Sequence, residues 1–313
     1  MSESASIEFE AGTVEVPAEG GQTLSGTLYR PSCPGPHPAI TLSPGYGGVK
    51  EHAVLNFAAV FARAGFVTLT HDHRGFGASE GEPRHDIDPW RQIEDWRRVI
   101  SYLEARPEVD PARIGIWGTS YSGGHAIVLG ATDRRLRTVV AQVPTISGYA
   151  AALRRVPPQN IAALEAVLEE DERAQFRGEG PGYQALVSAD PAVPATFRDP
   201  AAIAMYEQLM PDGVVWENKV TVRSSRNSKM YEPGSWITRV SPTPLLMIVS
   251  THDTIALTDA ELAAYERALE PKRLALLPGG HFDPYAGQFE RASRAALDWF
   301  EQHLSNHNRS TSE

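Results

Sequence analysis

The segment Arg113-Ile-Gly-Ile-Trp-Gly-Thr-Ser-Tyr-Ser-Gly-Gly124 restricts the fold more than any other part of the chain. An apolar run, Ile114 to Trp117, has the character of a buried strand. It breaks at Gly118-Thr-Ser120-Tyr-Ser122-Gly123 and passes into a helix-like stretch from Ala126 to Leu129. A backbone that turns so sharply from strand to helix needs small residues on both sides of the apex, and Gly118 and Ser122 stand two positions either side of Ser120. The turn would lift the Ser120 hydroxyl clear of the sheet, at a helix N-terminus whose N–H groups can hold developing negative charge. The pattern departs from G-x-S-x-G in one place, because Ser122 takes the second glycine position and the glycines follow at 123 and 124. A serine in a glycine-rich loop is more often structural than nucleophilic, so the remainder of the chain has to supply partners.

The flanking segments alternate between strand and helix patterns. Ile7, Phe9, Thr13 to Pro17, a Gly20-Gly21 turn and Thr23 to Tyr29 read as an antiparallel start. After a proline-rich loop, Ala39 to Ser43 reads as a buried strand that ends in Pro44-Gly-Tyr46-Gly-Gly48. A helix is expected from His52 to Ala64, stopped by Gly65, then a strand from Phe66 to Thr70. Asp88-Pro89 opens a long helix in which Trp90, Ile93, Trp96, Ile100 and Leu103 recur every three to four residues, and Thr138 to Val143 is one more strand. Alternation of this kind implies a mostly parallel sheet, here of eight strands, with helices on both faces: an α/β architecture.

The rhythm changes from about Thr145 to Arg239. Helical pieces at Ile161 to Glu170 and Ala201 to Leu209 are separated by glycine and proline, with no strong strand signal. We expect a mainly helical cap over residues 145–240, placed on the edge of the sheet where open α/β sheets bind ligands, with the core formed by 1–144 and 241–313. The sheet resumes at Pro244 to Ser250, followed by a helix from Asp259, a strand over Lys272 to Leu277 and a closing helix over Phe289 to Leu304; the tail from Ser305 to Glu313 has a disordered composition.

A serine hydroxyl is a weak nucleophile at neutral pH and needs a base, with a third group to orient that base. Asp253 follows one late strand in Ser-Thr-His-Asp-Thr, and His281 follows the next in Leu-Pro-Gly-Gly-His-Phe. Both would emerge on the sheet edge that carries Ser120. Of the other nine histidines only His125 is close in sequence to Ser120, and on the helix after the turn it reads as a packing or pocket residue. Asp283 is the nearest rival to Asp253 but lies too close to His281 to orient it. Two oxyanion donors are expected: the Tyr121 N–H, and a group near Tyr46, whose N–H and phenol are both open. The loop His71 to Gly81 carries a His-x-His pair and Gly75-Phe-Gly77, but no Gly-Lys-Thr follows. Its Asp72 and Arg74 are expected to pair or to brace the turn, with Glu80 near the pocket. No metal and no cofactor is implied.

With these residues in place the sequence resembles the α/β-hydrolase superfamily over nearly its whole length. More narrowly it is similar to X-prolyl dipeptidyl peptidase and cocaine-esterase-like enzymes and to hydrolases related to fungal polyketide transferases. The likeness rests on Ser120-Tyr121, Asp72-x-Arg-Gly-x-Gly-x-Ser-x-Gly81, Ser241-Pro-Thr-Pro-Leu-Leu-Met247 and Leu277-Pro-Gly-Gly-His281-Phe-Asp-Pro. It implies Ser120 as nucleophile, His281 as base then acid, and Asp253 as orienter, with Pro44 where many relatives carry histidine. The expected activity is cleavage of a carboxylic ester, thioester or lactone of a small or medium-sized molecule, with acyl transfer as the alternative. Prolyl peptidase activity is disfavoured for want of an added substrate domain, and a catalytically silent binding module is the remaining reading.

The formal net charge of −10 and the absence of a basic stripe exclude a nucleic-acid surface. No apolar run approaches the roughly 20 residues of a membrane span. Cys33 is the only cysteine, and the N-terminal residues lack the pattern of a secretory leader, so a cytoplasmic location is expected by default. The expected partner is a small-molecule acyl substrate, and a homodimer is allowed but not indicated.

Overall fold

The computed structural model describes residues 7–208, 210, 211 and 213–305. Residues 306–313, which make up most of the expected disordered tail, and Leu209, the end of one expected cap helix, lie outside them. The chain enters through β1 (Phe9–Pro17), β2 (Thr23–Pro31) and β3 (His37–Ser43), then alternates through α1 (Val54–Arg63), β4 (Val67–His71), α2 (Pro89–Glu104), β5 (Val109–Thr119), α3 (Tyr121–Thr132) and β6 (Leu136–Gln142). After residue 240 it adds β10 (Leu245–Ser250), α8 (Thr258–Arg267), β11 (Lys272–Leu277) and α9 (Phe289–Leu304).

Eight strands form one sheet in the order β1-β2-β4-β3-β5-β6-β10-β11. β1 and β2 are antiparallel to their neighbours, and the other six run parallel. Because the parallel strands share a direction, all their C-terminal ends, with the loops that follow them, gather on one edge. The central strands are buried on both faces, which is why they read as continuous apolar runs rather than alternating ones. On one face Trp117 packs against Phe57 of α1 with ring centroids 4.6 Å apart, and α9 adds Phe300. On the other, Trp96 of α2 is fully buried and its indole N–H donates to Thr41 Oγ1 at 2.8 Å. Helix α2 starts where the sequence signals it: Pro89 fills the first position and the Asp88 side chain accepts from the Trp90 and Arg91 N–H groups.

Between β6 and β10 the chain leaves the large sheet. It forms α4 (Gly148–Arg155), α5 (Ile161–Phe176), α6 (Pro200–Ile203), a π-turn over Ala204–Gln208 and α7 (Arg223–Lys229). It also forms a small sheet in the order β8-β7-β9, from β7 (Tyr183–Val187), β8 (Ala195–Phe197) and β9 (Val220–Thr221). No strong strand signal is legible in the sequence here because these strands hold only two to five residues, too few for an alternation to stand out. Among the described residues no helix is long and apolar enough to cross a membrane.

Candidate active site

The turn between β5 and α3 imposes its geometry on Ser120, which has φ 55° and ψ −119°, a positive φ that L-residues rarely adopt. A methyl group placed on Gly118 would stand 2.1 Å from the Ser122 carbonyl oxygen and 2.9 Å from Ala126 Cβ, so only glycine fits there. Backbone bonds hold the strained residue in place: Ser120 N donates to Gln142 O at 2.9 Å, and Ser120 O accepts from Gly123 N at 3.0 Å and Thr145 N at 2.9 Å.

The loops after β10 and β11 bring two side chains to that serine. His281 Nε2 lies 2.8 Å from Ser120 Oγ, and His281 Nδ1 lies 2.6 Å from Asp253 Oδ2. Since a carboxylate only accepts, the shared proton sits on Nδ1, which leaves Nε2 to accept the Ser120 O–H. Asp253 Oδ1 takes the N–H groups of Ile255 and Ala256, each at 2.8 Å. Burial alone would raise the Asp253 carboxyl, but the imidazole's charge, its hydrogen bond and the two backbone donors outweigh that and hold it below its ordinary value. Asp283 does not touch the imidazole; it accepts the Gly280 N–H at 2.7 Å and so shapes the histidine loop.

The Tyr121 N–H opens α3 directly after Ser120, and Gly45 backs onto the serine so closely that a methyl there would lie 2.9 Å from Ser120 Cβ. Neither the Tyr121 nor the Tyr46 amide donates within the hydrogen bonds of the described residues. The Tyr46 ring is buried edge-on against Tyr121 and Phe197, and among the described residues its phenol lies within hydrogen-bond geometry of no partner.

Beneath the turn lies a polar layer that the sequence did not announce. Ser122 Oγ donates to Pro44 O, and since a carbonyl carries no hydrogen, the 3.0 Å contact of Ser122 Oγ with His73 Nε2 requires the proton on Nε2. His73 Nε2 also meets Ser43 Oγ at 2.9 Å. His125, read as a packing or pocket residue, is fully buried and bonded on both nitrogens, to Tyr231 Oη at 2.7 Å and Gln92 Oε1 at 3.0 Å, which is the first of those two roles. Burial pulls His73 down to about 3, and pulls His71 and His125 well below the ordinary histidine range, so all three are neutral. Behind Asp253, Glu261 is fully buried, with no partner for either carboxyl oxygen among the described residues; burial and the Asp253 charge push its pKa well up, which favours the protonated form.

The loop over residues 71–81 meets expectation in part: Asp72 Oδ2 accepts the Ala78 N–H at 3.2 Å and Asp72 O accepts the Ser79 hydroxyl at 2.7 Å, so Asp72 does brace the loop by hydrogen bonds. Asp72 pairs not with Arg74 but with Lys50, taking its Nζ at 2.5 Å and its backbone N–H at 2.9 Å, while Arg74 forms a forked pair with Asp95. Glu80 is exposed and accepts the Thr23 N–H at 2.8 Å, away from the pocket. Both pairings cross between elements, which residue spacing within the loop does not encode.

A narrow pocket of about 20 Å³ opens at Ser120, walled by Gly45, His52, Tyr206, His281 and Tyr285. A larger cavity of about 360 Å³ adjoins it through Met205, His281 and Phe282 and extends to Asp199, His252 and Ile255.

The strand order, the turn and the loops that converge on it define an α/β-hydrolase. Within that class the chain belongs to the X-Pro dipeptidyl-peptidase (S15) family, whose model matches residues 20–283. It is 33% identical over 299 residues to the quorum-quenching protein AidA of Acinetobacter baumannii, covering 95% of this chain and 94% of that one. It is 30% identical over 293 residues to the polyketide transferase grgF of a Penicillium species, covering 93% and 96%. The crystal structure of the α/β hydrolase GrgF from Penicillium sp. sh18 superposes with a TM-score of 0.82 at 29% identity, covering 94% of this chain and 99% of that one.

Proposed function

We propose that the protein is a serine hydrolase that cleaves a carboxylic ester, thioester or lactone through an acyl-enzyme. The observation that carries this reading is the unbroken chain from Ser120 Oγ through His281 to Asp253, at 2.8 and 2.6 Å. In the first half-reaction His281 Nε2 takes the Ser120 proton as Oγ adds to the acyl carbon, and the same proton then passes to the leaving oxygen or sulfur as its bond to carbon breaks. Asp253 stays ionised and steadies the imidazolium. The Tyr121 and Tyr46 N–H groups are proposed to receive the oxyanion, the Tyr46 amide rather than its phenol because that ring is buried against Tyr121 and Phe197. In the second half-reaction His281 activates water, which releases the acid and restores the serine.

Transfer of the acyl group to an alcohol uses the same intermediate, and the likeness to a protein named a polyketide transferase supports it as the second reading. Segment 145–240 is proposed as a cap that decides which acceptor enters, because Met205 and Tyr206 wall the pocket at Ser120. Family membership alone does not carry prolyl peptidase activity, since activity belongs to the site rather than the fold.

A fluorophosphonate probe and short p-nitrophenyl esters test the proposal. Wild type is expected to be labelled and to turn over ester, and Ser120→Ala to do neither while its circular dichroism is unchanged. Labelling that persists in Ser120→Ala rejects the nucleophile. Mass spectrometry of products formed with an alcohol present separates hydrolysis from transfer.

A further inference from the structure

The loop Pro44–Gly47 has to present an N–H to an oxyanion without turning a carbonyl toward it. Its four carbonyls are all occupied. Pro44 O accepts from Ser122 Oγ, Gly45 O from Gly48 N at 3.2 Å, Tyr46 O from the Tyr206 hydroxyl at 2.7 Å, and Gly47 O from the Trp216 indole N–H at 3.1 Å. Each peptide plane in the loop is thus tied: the plane that carries the Tyr46 N–H is held through Gly45 O by Gly48 N, and the bonds to Tyr46 O and Gly47 O fix the two planes that follow, on which the direction of the Tyr46 residue depends. Two of the four donors come from residues 160 and 169 positions further along the chain, in segment 145–240.

Those two side chains are themselves held. The Tyr206 and Trp216 rings stack at 15° with centroids 6.0 Å apart, and His52 stands edge-on to both, at 5.1 and 5.5 Å. His52 Nδ1 accepts the Val49 N–H at 3.0 Å, so its proton is on Nε2, facing Tyr206 O. Tyr206 lies in the π-turn over Ala204–Gln208, a local distortion that often marks functional sites. Gly47 has φ 66°, and a methyl there would stand 2.9 Å from Leu186 Cδ2 of β7, so the loop is pressed directly beneath the inserted segment.

We propose that Tyr206 and Trp216 are positioning residues that hold the Pro44–Gly47 loop in the conformation an oxyanion requires, so that the second donor is complete only while the inserted segment is seated on the loop. The proposal rests on the acyl-enzyme reading given above. Neither side chain exchanges a proton with substrate. They act through the backbone, and their contribution belongs to the charged transition state rather than to the neutral ester.

Tyr206→Phe removes one hydrogen bond and keeps the ring stack, and Trp216→Phe does the same for the other. With p-nitrophenyl esters each variant is expected to lower kcat about tenfold with KM within about twofold, a smaller loss than deleting a donor outright. Binding of an arylboronic acid, which carries the tetrahedral charge when bound to Ser120, should weaken by the same factor as kcat. Unchanged kcat in both variants overturns the proposal, and so does a rise in KM alone, which would make Tyr206 merely a wall of the pocket. If Tyr206→Phe does not fold, Trp216→Phe carries the test. Hydrolysis that survives in Ser120→Ala overturns the serine reading instead, so the two failures are distinguishable.

Discussion

Replacing His73 by glutamine perturbs one buried, neutral histidine beneath the turn. The Gln amide nitrogen can reach where Nε2 now lies and offers two N–H groups to Ser43 and Ser122, so the donor role inferred for His73 is retained while the titration is lost. In the folded protein burial holds His73 at about 3, against 6.5 for a solvated histidine in the unfolded chain. A group whose folded pKa is depressed contributes stability that is complete above the unfolded pKa and is lost as pH falls. For His73 the loss begins near 6.5 and continues toward 3, at about 1.4 kcal/mol per pH unit. Between pH 8 and pH 5 this one side chain therefore removes about 2 kcal/mol from the wild type. That is a sizeable share of the roughly 5–15 kcal/mol that holds a domain folded. His71 and His125, with ring centroids 5.2 and 5.7 Å from His73, shift in the same direction, chiefly through burial and in smaller part through His73 itself, so most of their slope is common to both proteins. Urea unfolding of both proteins, followed by circular dichroism at several pH values in this range, gives the two stability curves. The gap between wild type and His73→Gln should close by about 2 kcal/mol on going from pH 8 to pH 5. Parallel curves would refute the claim that His73 is buried neutral.

Two further perturbations test the packing around the site. Gly118→Ala puts a methyl 2.1 Å from a backbone oxygen and should yield no folded protein by gel filtration and circular dichroism, whereas Gly12→Ala, with nothing within 4 Å, should fold normally. Lys50→Met strands the buried Asp72 carboxylate and should cost about 3–5 kcal/mol in urea unfolding. Adding Asp72→Asn should recover part of that loss, and no recovery would show that the ion pair is not the cause.

The sequence by itself determined the strand and helix succession outside segment 145–240, the turn at Ser120, and the order in which Asp253 and His281 follow their strands. These are local properties. Each central strand is a continuous apolar run, each helix carries its own period and caps, and parallel strands must deliver their C-terminal loops to one edge. Distances among Ser120, His281 and Asp253 could then be anticipated in kind, because the topology leaves few other places for those loops to go. What only the tertiary structure decided are pairings between side chains far apart in the chain. Asp72 takes Lys50 rather than Arg74, and the short strands of segment 145–240 pair with one another in a sheet of their own. Tyr206 and Trp216 reach back to carbonyls in the loop after β3, and Ser122 with His73 fastens Pro44. A hydrogen bond is set by direction and distance within a few tenths of an ångström, and neither is written in residue spacing once a hundred residues separate the partners.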